Sequence, residues 1–375
     1  MSTASPATTT VPSATPGPQW GLSARTVVLL VSGLSAVMLG GVVATLPVPY
    51  VVFSPGPVRD TLGTTAEGEP LIVIEGAETY PTDGQLDLTT IRIAGGPLGR
   101  VTVLDAMQAY VDGSRSLRPV ETVYPPDETR EEARKVSDAQ MQSAQQSAAV
   151  AALLELGETV PARLLVTGFG GNPASEAVLE EGDVVVSVDG KALAGSGALV
   201  DLLQTYEPGD VVEIAVDRDG EQVVEPIELA SSDAGAVILG VLIRPEYELP
   251  YEVSYDVGGI GGPSAGLMFA LGIYDKLSPG ALTGGAHIAG TGTMADDGAV
   301  GPIDGIQQKL VGARDVGADW FLAPADNCVD VVGAVPDGIR VTAVASLEEA
   351  VEAVEAVAAD ATDDLPTCED VLARP

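Results

Sequence analysis

The 375-residue sequence predicts an α+β protein with one N-terminal transmembrane helix. Three observations carry that prediction. Val27–Leu46 is a charge-free apolar run of the length that spans a bilayer. From residue 50 onward, short β-branched runs are interleaved with segments of helical apolar period. Between 161 and 245, Asp-Gly and Pro-Gly turns punctuate short strands, marking off a strand-rich unit of its own.

Taken in order, residues 1–24 are assigned to a disordered tail, because Ser, Thr, Ala and Pro dominate them without an apolar period. Residues 25–48 form the expected transmembrane helix, preceded by Arg25 and ended by Pro47 and Pro49. A cleaved signal peptide is the rival reading. Its apolar region is normally shorter and ends at a small-x-small site, which Ala44-Thr45-Leu46 does not supply. The expectation is therefore an uncleaved, single-pass anchor in the cell membrane. Flanking charge does not orient it, since Arg25 lies on one side and Arg59 on the other.

Residues 50–158 form a β/α region. Leu71–Glu75 and Leu86–Ile91 read as strands around the turn Pro81-Thr82-Asp83-Gly84, and 103–112 and 128–157 read as helices. In the 128–157 helix Met141, Ala144, Ala148, Ala151 and Ala152 share one face, and Gly157 ends it. Over 161–245 the strands are Arg163–Thr167, Val184–Val188, Val211–Val216 and Val223–Glu228, with helical patterns at 173–179 and 198–205. Residues 246–358 return to alternating strand and helix, closing with the periodic stretch Leu347–Ala358. Residues 359–375 are an acidic tail that includes Cys368.

A formal net charge of −36 argues against nucleic-acid binding, which needs clustered Lys and Arg to release counterions. Two cysteines and one histidine make no zinc set, and a Ser-His-Asp triad would have to use His287, which no nucleophile motif accompanies. The chain has four lysines, so a lysine in a motif is not background. Gly261-Gly262-Pro263-Ser264-Ala265-Gly266 is a glycine-rich turn leading into an apolar helix, with Pro263 suited to a first turn. Ser264 would then face free backbone N–H groups able to stabilise an oxyanion. Lys309 follows Ile303 and Ile306 and precedes Leu310 and Val311, which can bury its stem. A serine hydroxyl needs a base, and a lysine is one only when desolvation keeps it neutral near pH 7. A plain glycine-rich turn entering a buried helix is the structural alternative.

The arrangement resembles the Lon family of serine–lysine proteases. The Gly-Pro-Ser-Ala-Gly turn, the Thr291-Gly292 segment, Pro302-Ile303-Asp304-Gly305 and a lysine four residues later occur in the family's order. Downstream, Ala318–Asn327 resembles the family's strand and Pro-x-x-Asn turn. The resemblance implies Ser264 as nucleophile, Lys309 as general base, Thr291 as orienting residue, and Gly262 and Ala265 as support for the oxyanion. It departs from Lon at Gly261, where Lon has an acidic residue, and no Gly-x-x-x-x-Gly-Lys-Ser/Thr phosphate loop occurs. It thus resembles the Lon-like branch without the ATPase, and implies no cofactor. Residues 161–245 resemble a PDZ domain of bacterial proteases, through Asn172–Ala177, Glu181–Lys191 and Glu207–Val211. Such modules capture peptides at a sheet edge. Leu71–Ile91 and Met141–Gly157 resemble the early strands and first helix of a Lon protease domain, which implies a PDZ domain inserted into the protease fold. The alternative is an adjoining PDZ domain behind a β-rich stalk at 50–125.

The resemblance therefore implies a membrane-anchored, ATP-independent serine endopeptidase, its catalytic part extracytoplasmic, acting on peptides or unfolded protein. Homo-oligomerisation is a family expectation. The alternatives are an inactive membrane-tethered peptide-binding scaffold and a chaperone-like assembly factor. Cys328 and Cys368 flank the last helical stretch. In an oxidising compartment they are expected to be bridged; one buried thiol and one in the tail is the other reading.

Overall fold

The computed structural model describes residues 23–65, 67–193, 196–232 and 234–373. The tail expected over 1–24 falls outside these, apart from its last two residues. Ser23 caps the first helix by accepting from the Thr26 N–H, and Ala24 opens it. That helix, Ala24–Ala44, has a mean hydropathy of 2.4 and no buried residue. It is long and apolar enough to cross a bilayer.

Two sheets follow. The strand-rich unit is an antiparallel sheet ordered Glu221–Glu228, Val211–Arg218, Val184–Val188, Ala162–Phe169, Val241–Tyr247. Alternating residues, including Leu164, Val166, Val212, Ile214 and Val216, fill a core of its own. Helices Pro173–Val178 and Ser196–Leu203 accompany it.

The second sheet is ordered Arg340–Val344, Trp320–Pro324, His287–Gly290, Gln85–Ala94, Tyr50–Asp60, Ser116–Pro119. Its first four strands are parallel and its last two antiparallel. Strands from before and after the 161–245 unit therefore pair directly, His287–Gly290 against Gln85–Leu88. The strand alternation separates two cores. Leu86, Leu88, Ile288 and Leu322 face helix Gly266–Leu277, while Ala289, Phe321 and Ala323 face helix Ile306–Asp315. Helix Arg130–Glu155 starts with a reciprocal cap between Thr129 and Glu132. Its buried alanines at 144, 148, 151 and 152 let it approach helix Gly266–Leu277 closely. Nine of that helix's twelve residues are buried, and each large apolar side chain among them contributes about 1.5–3 kcal/mol.

Two features differ from the sequence expectations. Tyr50–Asp60 is an eleven-residue strand in the second sheet, although Pro55-Gly56-Pro57 breaks its alternation; the register shifts there as well. The Ile72–Glu75 strand pairs with Glu252–Tyr255, not with its neighbour in sequence.

The units are tied together at Asp296. Tyr247, ending the last strand of the 161–245 unit, donates to Asp296 Oδ2 at 2.6 Å, and Ser147 donates to Oδ1 at 2.5 Å.

Candidate active site

The Ser264 turn is built by its glycines and by a distant helix. Gly262 has φ +85, a backbone region that other residues enter only under strain. Its N–H donates to the Ser137 carbonyl at 3.0 Å. That bond corrects one expectation: the Gly262 N–H is occupied and is no oxyanion donor, so Gly262 shapes the turn instead. Helix Gly266–Leu277 begins later than expected, with Ala265 as its N-cap, leaving Pro263 and Ser264 ahead of the first turn. Among the described residues, the Ser264 and Ala265 N–H groups have no acceptor.

Lys309 sits in the first turns of helix Ile306–Asp315, after Gly305. The approach to that helix is clamped by Asn327, which accepts from the Ile303 N–H and donates to the Ile303 carbonyl, each at 2.9 Å. Lys309 is 1% exposed. Burial lowers its pKa to about 7, against a raising influence from Asp304. The positive N-terminal end of its own helix also disfavours the ammonium.

The two meet. Lys309 Nζ lies 2.7 Å from Ser264 Oγ and 2.8 Å from Thr291 Oγ1. Thr291 Oγ1 in turn donates to the Ser264 carbonyl at 2.8 Å, which also accepts the Gly292 N–H at 3.0 Å. Thr291 thereby spends its proton on the backbone and turns a lone pair to the amine. A neutral amine can donate one N–H to Thr291 and offer its own lone pair to the Ser264 hydroxyl proton. This is the geometry that a base-activated serine needs.

A cleft of 820 Å³ opens on the pair, walled by Ile91, Leu98, Val123, Tyr124, Val136 and Ser137. At its floor, a Cβ added to Gly261 would fall 2.2 Å from Ser137 Oγ. No side chain fits at 261 unless Ser137 moves.

The remaining candidates lie elsewhere. His287 begins the strand that Thr291 follows, and its Nε2 is 2.7 Å from Asp87 Oδ2. Burial nonetheless pushes the Asp87 carboxyl up. Cys328 and Cys368 are bridged, both buried, so residues 368–373 pack as a helix against the core beneath helix Ile306–Asp315. Sequence reasoning missed Ser137, whose helix showed only an alanine face, and the clamping role of Asn327. The Pro-x-x-Asn turn was the available signal for the second.

Comparison with known proteins agrees with this architecture. Residues 258–361 match the Lon protease C-terminal proteolytic domain, and residues 170–229 match a PDZ domain. This chain carries a Lon-type serine-protease domain and a PDZ domain. Lon protease 1 of Bacillus subtilis is 26% identical over 154 residues, 39% of this chain and 20% of that protein. Lon protease 1 of Sorangium cellulosum is 29% identical over 175 residues, 45% of this chain and 20% of that protein. Lon protease 2 of Bacillus subtilis is 32% identical over 92 residues, 24% of this chain and 16% of that protein. The chain thus spans a fifth or less of the length of these relatives. The PDZ domain of an SdrC-like protein from Listeria monocytogenes is 22% identical, covering 21% of this chain and 85% of that one, with a TM-score of 0.21. The PDZ assignment rests on the family match over 170–229.

Proposed function

We propose that the chain is a membrane-anchored serine endopeptidase that works without ATP, with Ser264 as nucleophile and Lys309 as general base. The observation that carries the reading is the 2.7 Å contact between Ser264 Oγ and a lysine amine whose pKa is brought down to about 7. In the proposed cycle, Lys309 Nζ takes the Ser264 proton as Oγ attacks the peptide carbonyl. The Ser264 and Ala265 N–H groups receive the oxyanion, and Lys309 passes its proton to the leaving amine. Water, deprotonated by Lys309, then hydrolyses the acyl-enzyme.

Working without ATP, such an enzyme has no energy-driven unfolding step to draw on. Substrates would then be peptides or unfolded segments that enter the cleft unaided. Ala24–Ala44 serves as the anchor in this reading, and the PDZ domain gates or delivers substrate. The Tyr247–Asp296 bond supports the gating role, since Asp296 lies on the loop that leaves Thr291.

The test is hydrolysis of an unstructured peptide together with labelling by a serine-reactive probe. Ser264→Ala and Lys309→Met should each abolish turnover with unchanged circular dichroism, and Ser264→Ala should abolish labelling. Turnover near the wild-type rate in either variant rejects the mechanism.

A further inference from the structure

The helix Val103–Val111 is inverted. Its small side chains, Ala106 and Ala109, pack inward with Val52 and Val101. Its large apolar side chains face outward: Leu104 is 48% exposed, Met107 63%, Tyr110 85% and Val111 81%. Residues 103, 107, 110 and 111 share one face, with 104 beside them. The helix does not need that face for its own stability, because a reciprocal cap between Thr102 and Asp105 starts it and the alanines dock it. The apolar surface continues onto Val48 and Tyr50 as a shallow groove of 290 Å³ that no charged residue lines. Leu46, also exposed, lies alongside.

What covers it follows from where it is fastened. The Ala24–Ala44 helix ends two residues before Leu46, whose carbonyl accepts the Val103 N–H at 3.0 Å. Pro47–Val48 pairs with Val101–Thr102, the residues that lead into the inverted helix. At about 3.3 Å per extended residue, the patch lies within roughly 10 Å of the end of the apolar helix. That is the scale of the headgroup layer, given an apolar core of about 30 Å in a bilayer of about 40–45 Å.

We propose that Val103–Val111 lies in the interfacial layer of the bilayer beside the end of Ala24–Ala44, with Leu46, Leu104, Met107, Tyr110 and Val111 at the boundary between headgroups and acyl chains. The proposal rests on the reading of Ala24–Ala44 as a membrane span, and it adds a second contact that fixes how the protease domain faces the membrane. Tyr50 and Tyr110 suit that depth, with an apolar ring and a polar end. The contact is apolar and not electrostatic. The chain's charge of −36 repels anionic lipid, Asp112 is paired with Arg115 at 3.0 Å, and the Asp105 carboxylate is taken up by the Thr102 cap. Zwitterionic lipid therefore suffices, and salt leaves the contact in place.

The experiment uses the full chain in phosphatidylcholine nanodiscs. The native cysteines are bridged, so Met107→Cys, Tyr110→Cys, Val37→Cys and Val224→Cys each add a single free thiol for a nitroxide label. Accessibility to oxygen, which partitions into lipid, is compared with accessibility to a water-soluble nickel chelate. The Met107 and Tyr110 labels should show an oxygen-to-nickel ratio several-fold above that of the Val224 label on the PDZ domain and below that of the Val37 label inside the helix. The ratios should persist at high salt. A ratio at Met107 equal to that at Val224, with a high ratio at Val37, overturns the interfacial helix and leaves the anchor standing. A low ratio at Val37 overturns both. Shielding of Met107 from both reagents shows a protein surface covering the patch, a second copy included, and also overturns the proposal.

Discussion

Lys309 Nζ lies 2.7 Å from Ser264 Oγ inside a site that leaves the lysine 1% exposed. As the base of the proposed mechanism it is competent only when neutral, so kcat/KM should fall about tenfold per pH unit below a midpoint near 7, the pKa that burial gives Lys309. Asp304 opposes that lowering. Asp304→Asn should therefore move the midpoint to lower pH. Because Asp304 is largely exposed and paired with Arg118 at 3.0 Å, the shift should be small and should shrink further in high salt. Rate profiles at two ionic strengths check this; a midpoint that rises in Asp304→Asn rejects Lys309 as the base.

The same burial has a cost in stability. The folded pKa of Lys309 is about 7 against an ordinary 10.5, so the unfolded chain binds the proton more tightly. The resulting destabilisation is absent above 10.5, grows as pH falls, and is complete below 7. Lys309→Met, which keeps the stem and removes the amine, should stabilise the protein by roughly 3–5 kcal/mol at pH 6 and by less at pH 9. Denaturant titrations at the two pH values measure the difference. A gain that grows with pH contradicts the assignment.

The residues that meet at the site were legible because their chemistry restricts their surroundings. A serine at a glycine-rich turn before an apolar helix, and one of only four lysines among isoleucines and leucines, stand out locally. The PDZ unit was legible because its Asp-Gly and Pro-Gly turns delimit short strands, and the family match covers 170–229. What escaped is tertiary. The Tyr50–Asp60 strand hides behind Pro55-Gly56-Pro57, and its place in the sheet depends on partners at 87–94 and 116–119. The Ile72–Glu75 strand pairs with residues on the far side of the PDZ domain. Ser137 acts on the Ser264 turn through its backbone carbonyl, a group every residue carries, so no pattern of side chains could mark it.

Thr291 binds both halves of the site with one hydroxyl. Thr291→Val leaves a Lys309 N–H without its acceptor and removes one of two donors to the Ser264 carbonyl. Losing a buried hydrogen bond of this kind costs about 1.5–3 kcal/mol, so kcat should fall about 10- to 100-fold. KM should change little, since Thr291 is fully buried and does not line the cleft. Thr291→Ser should recover most of the rate. A loss confined to KM would place Thr291 in substrate binding instead.

Gly261 is held to glycine by Ser137. A Cβ at 261 would fall 2.2 Å from Ser137 Oγ and 3.3 Å from its Cβ. Gly261→Ala should destabilise by about 1–3 kcal/mol and slow hydrolysis by disturbing the turn that Gly262 completes. In a Ser137→Gly background the space exists, and the same substitution should cost less than half as much. A double-mutant cycle reads the coupling directly; strict additivity would mean that the two positions do not press on each other.

The Cys328–Cys368 bridge joins stability to the site. It closes a separation of 40 residues, which in loop-closure entropy corresponds to about 4 kcal/mol. Cys328 directly follows Asn327, the side chain that grips both backbone groups of Ile303 ahead of the Lys309 helix. Opening the bridge should therefore lower the melting temperature and also loosen the approach to Lys309, so that kcat drops at temperatures where the protein is still folded. Reduction of the wild type with dithiothreitol should reproduce both effects. In the Cys328→Ser, Cys368→Ser double variant both losses should be present from the start and insensitive to dithiothreitol. A double variant that melts early yet turns over at the wild-type rate would show that Asn327 keeps its grip without the bridge, separating the stabilising role of the disulfide from any influence on the base.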